Sequence, residues 1–124
     1  WKGQVSEGCV STRVTKEHII LTASGREFAL LTADCPNITL WISLECTGGS
    51  PFHRLNIHKG GPANHQLIQG HRDKFKDMSS FAFYVARVVK HNGGIICFEL
   101  PGGCSYWNES FLPPSFPDFR LTRV

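Results

Sequence analysis

Apolar and polar side chains alternate along several short stretches of the chain, which is the pattern of strands in a half-buried sheet. The clearest stretch is residues 39–45, in which Leu40, Ile42 and Leu44 share one face while Trp41 and Ser43 share the other. Turn-forming Gly, Pro and Asn separate the stretches at about eight to twelve residues, a spacing typical of a sandwich or barrel. The other stretches predicted as strands are 9–15, 18–22, 27–32, 54–58, 65–69 and 95–100.

Residues 81–90 fit two patterns. With a period of 2, Phe81, Phe83 and Val85 share a face; with a period of 3.6, Tyr84 and Val88 join Phe81 and Val85 instead. We favour the strand, because Asn92-Gly93 supplies the positive φ values of a tight hairpin leading into residues 95–100. The predicted fold class is therefore all-β, a two-sheet antiparallel β-sandwich, with one short helix near 78–90 as the alternative. We expect a single domain over residues 1–124, with 1–8 and 105–124 as irregular flanks.

Composition narrows the class of partner. The net charge of +3 over 124 residues, without a dense basic run, argues against nucleic acid as a partner. No apolar run reaches the length of a membrane span, so we expect no membrane insertion by this chain. The sequence begins at Trp1 rather than Met, and we interpret it as a processed product or an excised domain.

Five cysteines without a Cys-x-x-Cys pair predict disulfides of an oxidising compartment rather than a zinc ribbon. Asn37-Ile38-Thr39 and Asn108-Glu109-Ser110 are N-glycosylation acceptors, and they point to the same compartment. The predicted localisation is extracellular, either secreted or in the ectodomain of a membrane protein. With an odd number of cysteines, one thiol stays free or pairs with another chain, which would give a dimer.

Catalytic and metal chemistry find little support in the sequence. His53 and His58 are five positions apart and would point to opposite faces of a strand, so no metal site is predicted. A Cys-His nucleophile pair, for example at Cys97 or Cys104, lacks a recognisable nucleophile turn, and no Gly-x-Ser-x-Gly elbow occurs. We therefore predict no enzyme activity and no cofactor.

A segment rich in Pro and aromatic residues near the carboxyl terminus is the more informative feature. Interface cores are enriched in Trp, Tyr and Phe, so this segment is a candidate partner patch unless it merely covers an edge of the domain. The patch residues are Tyr106, Trp107, Phe111 and Phe116.

The order of these features resembles the CUB domain, an extracellular β-sandwich. Cys9 and Cys35 are 26 positions apart, a separation similar to that of the family's first disulfide. The alternating strand, Cys46 and the Gly turn after residues 54–58 follow in the family's order. The likeness is greatest to divergent CUB domains of a transmembrane glycoprotein of epithelial cells, and it spans residues 9–100. The family's fourth cysteine is missing, since His71 stands near its place, and the turn lacks the carboxylates that bind calcium.

The resemblance implies a Cys9–Cys35 disulfide and leaves Cys46 without its usual partner. Cys97 and Cys104 are additional, and we expect them to be bridged as well. The implied function is an extracellular protein-binding module of a receptor or secreted glycoprotein. The alternatives are a carbohydrate-binding or coat protein of the spermadhesin kind, with a glycan as partner, and a secreted hydrolase that uses Cys and His.

Overall fold

The computed structural model describes residues 20–109, except for the side chains of residues 53–58. Two helices and two strands form this part of the chain: α1 is Ala23–Ala33, β1 is Thr39–Ser43, α2 is Phe52–His91 and β2 is Ile95–Glu99. Single 3-10 turns follow the strands at Thr47–Gly49 and Ser105–Asn108. The strand predicted at 9–15 and the first two residues of that predicted at 18–22 lie outside the described residues. The rest of the latter prediction is wrong, because residues 20–22 form a turn that leads into α1.

The prediction of an all-β sandwich, and with it the fold that the CUB resemblance implied, is wrong. β1 and β2 pair in parallel, with Thr39 opposite Ile95 and Ser43 opposite Glu99. Parallel neighbours need a crossover connection, and α2 is that connection. The described residues therefore form a β-α-β unit with α1 added in front.

The segment predicted as a strand at 27–32 is part of α1. Thr22 caps this helix, since its Oγ1 accepts a hydrogen bond from the amide of Gly25 at 3.2 Å. Ala29, Leu30 and Ala33, spaced by one turn, pack against α2. Phe28 and Leu30 are two positions apart and would share one face of a strand, and that coincidence supported the strand prediction.

The segments predicted as strands at 54–58 and 65–69 both lie in α2. A break separates them at Gly61, whose φ of 64° and ψ of −162° are not helical. Pro62 restarts the helix, where its missing N–H costs no intrahelical hydrogen bond. The turn signal in Gly60-Gly61-Pro62 was thus correct, but it joins two helical segments rather than two strands.

Residues 81–90 are helical, so the favoured strand interpretation is wrong there too. Each buried position of α2 lies three, four or seven residues from another, which is the spacing of one helix face. Asn92-Gly93 is a helix stop instead of a hairpin turn. The amide of Gly93, with φ of 76°, donates to Lys90 and that of Gly94 to Val89, the two bonds of a Schellman motif. The buried positions are Ile68, Phe75, Ser79, Ala82, Phe83, Val85, Ala86 and Val89.

Helix α2 covers one face of the sheet. Ile42 of β1 packs on Ala82 and Ala86, and partly buried Ile96 and Phe98 of β2 join the same cluster. The strands at 39–45 and 95–100 were predicted at nearly the observed bounds. Their alternation is correct as well, because Leu40 and Ile42 face the helix while Trp41 faces away.

Candidate functional site

The face of the sheet opposite α2 is open within the part of the chain that the structure describes. Trp41 and Ile95 lie on it with 64% and 63% of their side chains exposed, and the half-buried Cys97 stands opposite Trp41. Parallel sheets are normally covered on both faces, so an uncovered face with a Trp and an Ile needs an explanation. The remaining residues of this face are Thr39, Ser43 and Glu99.

A hydrogen bond across the strands holds the indole of Trp41. Its Nε1 donates to Oε2 of Glu99 at 3.2 Å. Glu99 follows Cys97, the paired residue of Trp41, by two positions, and such diagonal neighbours are within reach of an aromatic side chain. The largest apolar side chain of the open face is therefore oriented before any partner arrives.

Polar side chains gather where β1 ends. Thr47 donates from its hydroxyl to Oε1 of Glu45 at 2.6 Å, and Nζ of Lys74 lies 3.8 Å from Oε2. The Thr47 hydrogen bond first, and then the charge of Lys74, lower the pKa of the Glu45 carboxyl below its ordinary value. Glu45 is thus a fixed negative charge just beyond the end of β1, although at this exposure its ion pair contributes little stability.

A disulfide joins Cys46 and Cys104 and links the segments that follow the two strands. Cys104 is bridged, as predicted from the sequence, but its partner is Cys46, to which no partner had been assigned. Cys35 and Cys97 carry free thiols, where bridged cysteines were expected. Cys9, the partner that the resemblance implied for Cys35, lies outside the described residues.

The two N-glycosylation acceptors lie at opposite ends of the sheet. Asn37 is exposed in the turn before β1, where it adopts a φ of 60°, a value that Asn tolerates well. Asn108 is exposed in the turn that follows β2. Both amides are therefore open to modification, which stays a prediction.

The predicted partner patch does not form as expected. Tyr106 has no exposed surface, because its ring stacks on Phe75 with centroids 4.0 Å apart. Trp107 is half-buried, its indole donates to the carbonyl of Pro101 at 2.9 Å, and its ring meets Phe98 edge to face. Phe111 and Phe116 lie outside the described residues.

Sequence reasoning missed the open face because it ranked aromatic residues by local density. The sequence did contain a signal for this face. Trp41 alternates with Leu40, Ile42 and Leu44, so its side chain had to lie on the other side of β1. A continuous apolar run at Ile95–Phe98 is also typical of a strand that is buried on both faces of a parallel sheet.

Other site types find no support among the described residues. The backbone of His53 and His58 is helical rather than extended, so the strand geometry used to judge them was wrong. Across the side chains described, no group of three His, Cys, Asp or Glu residues is placed to bind a metal. Between residues 20 and 109, neither helix combines the length and apolarity of a membrane span.

Comparison with known proteins returned no match to a protein family, to a curated protein or to a solved structure. Function is therefore inferred from the geometry of the described residues.

Proposed function

We propose that this chain is a protein-binding domain of an extracellular, oxidising compartment, and not an enzyme. The observation that carries the proposal is the open sheet face, on which Trp41 and Ile95 are exposed although the opposite face is packed. Covering such a face with another polypeptide removes apolar surface from water, which is the main favourable term in protein association.

The composition of the face is that of an interface. Trp41 and Cys97 form its apolar centre, Ile95 lies beside Thr39 at its amino end, and the polar Ser43 and Glu99 lie at its carboxyl end. Tryptophan is enriched among the residues that dominate binding energy. The bond to Glu99 already restricts the indole, which lowers the entropy lost on docking.

The charge and size of the face indicate the kind of partner. Glu99 gives the carboxyl end of the face a negative charge, so we expect an apolar partner surface flanked by Lys or Arg. Strands of five residues make a face about 17 Å long and about 10 Å wide. That is far below the roughly 800 Å² per partner of a stable interface, so a partner that binds this face alone would exchange rapidly.

Two observations support the compartment. The Cys46–Cys104 disulfide is of a kind that persists in oxidising environments and is rare in the cytosol. Asn37 and Asn108 are both exposed, as N-glycosylation requires.

Site-specific photocrosslinking tests the proposal. A benzoylphenylalanine residue placed at position 41 or 95 should capture a partner from extracellular material when the protein is expressed in its native cells. The matched control is position 31, since Leu31 is exposed to 70% but lies on α1, away from the face.

Capture of the same protein from positions 41 and 95 but not from 31 is the expected result. Equal capture from all three positions, or none from the face, would contradict the proposal. Capture of a glycan in place of a protein would favour the carbohydrate-binding alternative.

A further inference from the structure

The outer edge of β1 has no neighbouring strand within the described residues, where β1 and β2 alone form the sheet. The amide of Ile95 donates to the carbonyl of Ile38 at 2.9 Å, so the even-numbered residues of β1 direct their backbone groups toward β2. The N–H and C=O groups of Thr39, Trp41 and Ser43 therefore point to the outer edge.

A parallel sheet of two strands is smaller than such sheets usually are. Sheets commonly have about four to six strands, and an unpaired strand edge presents a row of hydrogen-bonding groups that proteins normally pair or cover. A further strand is therefore expected beside β1 or β2.

Helix α1 occupies the place of a second crossover helix. Ala33 and Leu30 of α1 belong to one cluster with Val89 of α2 and Leu40 of β1, so both helices lie on the same side of the sheet. Residues 34–38 connect α1 to β1, which is an ordinary length for a helix-to-strand connection. The pair α1–β1 thus has the form of the second half of a β-α-β unit, whose first strand would precede α1.

Residues 9–15 supply the candidate for that first strand. They lie in the part of the chain before Ile20, where the described residues begin, and their β-branched Val10, Thr12 and Val14 recur at the period of a strand. The residues between this segment and β1, 16–38, number 23, and a parallel crossover needs about a dozen or more.

The handedness of β-α-β units decides which edge of the sheet the segment takes. Crossovers between parallel strands are almost always right-handed. Since α1 and α2 lie on the same side, two successive right-handed crossovers advance across the sheet in one direction. The strand before α1 then lies beside β1, on the side away from β2.

We propose that residues 9–15 form a third strand that pairs in parallel with the outer edge of β1, in the order 9–15, β1, β2. Its alternation places Val10 and Val14 on the side of the helices and Ser11 and Arg13 on the open face. The open face gains about 5 Å in width, the distance between neighbouring strands. The inference does not rest on the proposed function, because an unpaired edge takes a strand whether or not the face binds a partner.

The pairing specifies which amides of the segment donate to β1. Aligned residues of neighbouring strands share a face, so Ser11 and Arg13 align with odd-numbered residues of β1. A residue of a parallel strand bonds to the two residues that flank its aligned partner. The amide of Thr12 therefore donates to β1, while that of Ser11 faces solvent at the edge of the sheet.

Hydrogen exchange measured by NMR on the full chain tests this arrangement. Thr12→Pro removes a donor from the ladder, so it should speed amide exchange at Trp41 and Ser43 by at least about tenfold. The even-numbered amides of β1, which donate to β2, should stay protected and show that the variant is folded. The matched control is Ser11→Pro, which is tolerated at a solvent-facing edge position and should change exchange at Trp41 and Ser43 by less than about twofold.

Nuclear Overhauser contacts in the wild-type protein decide the question alone if Thr12→Pro does not fold. Backbone protons of residues 10–14 should contact those of 39–43 in the parallel pattern. Contacts with β2, an antiparallel pattern, contacts that arise only between two differently labelled copies, or no contacts would each overturn the proposal. Exchange at Trp41 and Ser43 that responds equally to both proline variants, or to neither, would also overturn it.

Discussion

The indole of Trp41 donates a hydrogen bond to Glu99 on the neighbouring strand, on the face of the sheet that α2 does not cover. A residue away, Ile42 is buried against Ala82 and Ala86 of α2. One face of this short strand is therefore exposed to solvent while the other is buried in the core.

Replacing Trp41 with Ala should change the free energy of unfolding by less than about 0.5 kcal/mol, because the side chain is mostly exposed. Replacing Ile42 with Ala should cost about 2–5 kcal/mol, because it leaves a cavity in the core. Urea unfolding of both variants measures the difference. A loss at Trp41 as large as that at Ile42 would mean that the protein itself covers this face.

The disulfide should be visible in a thiol map. Without reduction, alkylation should label Cys35 and Cys97, and after reduction Cys46 and Cys104 as well. The double variant with Ser at 46 and 104 should lose about 4 kcal/mol of stability, because the bridge closes a loop with a sequence separation of 58. Label on Cys46 in the oxidised protein would contradict the observed pairing.

Replacing Gly93, in the cap of α2, and Gly70, within α2, by alanine should have opposite effects on the free energy of unfolding. Gly93→Ala should destabilise by about 1–2 kcal/mol, because the φ of 76° is in the left-handed region. Gly70→Ala should stabilise by roughly 0.5–1 kcal/mol, since Gly70 is an exposed helical residue with open space around its Cα. Thermal unfolding of the pair is the measurement. The Schellman cap would be refuted if Gly93→Ala were as stable as the wild type.

Stability should depend on Tyr106 at alkaline pH. Burial raises the pKa of this phenol above its ordinary value of 10.0, so the folded state holds the proton more tightly than the unfolded state does. The resulting stability is complete below pH 10 and is lost as the pH rises through the folded pKa. Tyr106→Phe, which has no proton to lose, is the control in urea unfolding between pH 9 and about 11.5. Parallel pH profiles for the two proteins would exclude this role of Tyr106.

The strands could be predicted from the sequence, while the helices largely could not. Alternation at 39–45 and the apolar run at 95–98 are local signals, and both gave strands near their observed bounds. In α2 the run Phe81-Ala82-Phe83-Tyr84-Val85 is continuously apolar and fits both periods, so a short window did not choose between strand and helix. Only the contact with the sheet selects this helix, as is usual where tertiary packing overrides weak propensity.

The candidate site was misplaced for a related reason. Tyr106 lies in a stretch of aromatic residues and was assigned to a surface, but the two glycines at 48 and 49 give it a buried place. Those residues are far apart in the sequence, so their contact cannot be found from local patterns. The pairing of Cys46 with Cys104 is equally non-local, because spacing alone does not determine disulfide connectivity.

The most direct test of the open face as a docking surface is the affinity of the captured partner for two single variants. Trp41→Ala should weaken binding by about thirtyfold, the effect of losing a residue worth about 2 kcal/mol at the centre of an interface. Leu31→Ala, which removes an equally exposed side chain on α1, should change it by less than about twofold. If both variants bind like the wild type, the face that carries Trp41 is not the docking surface.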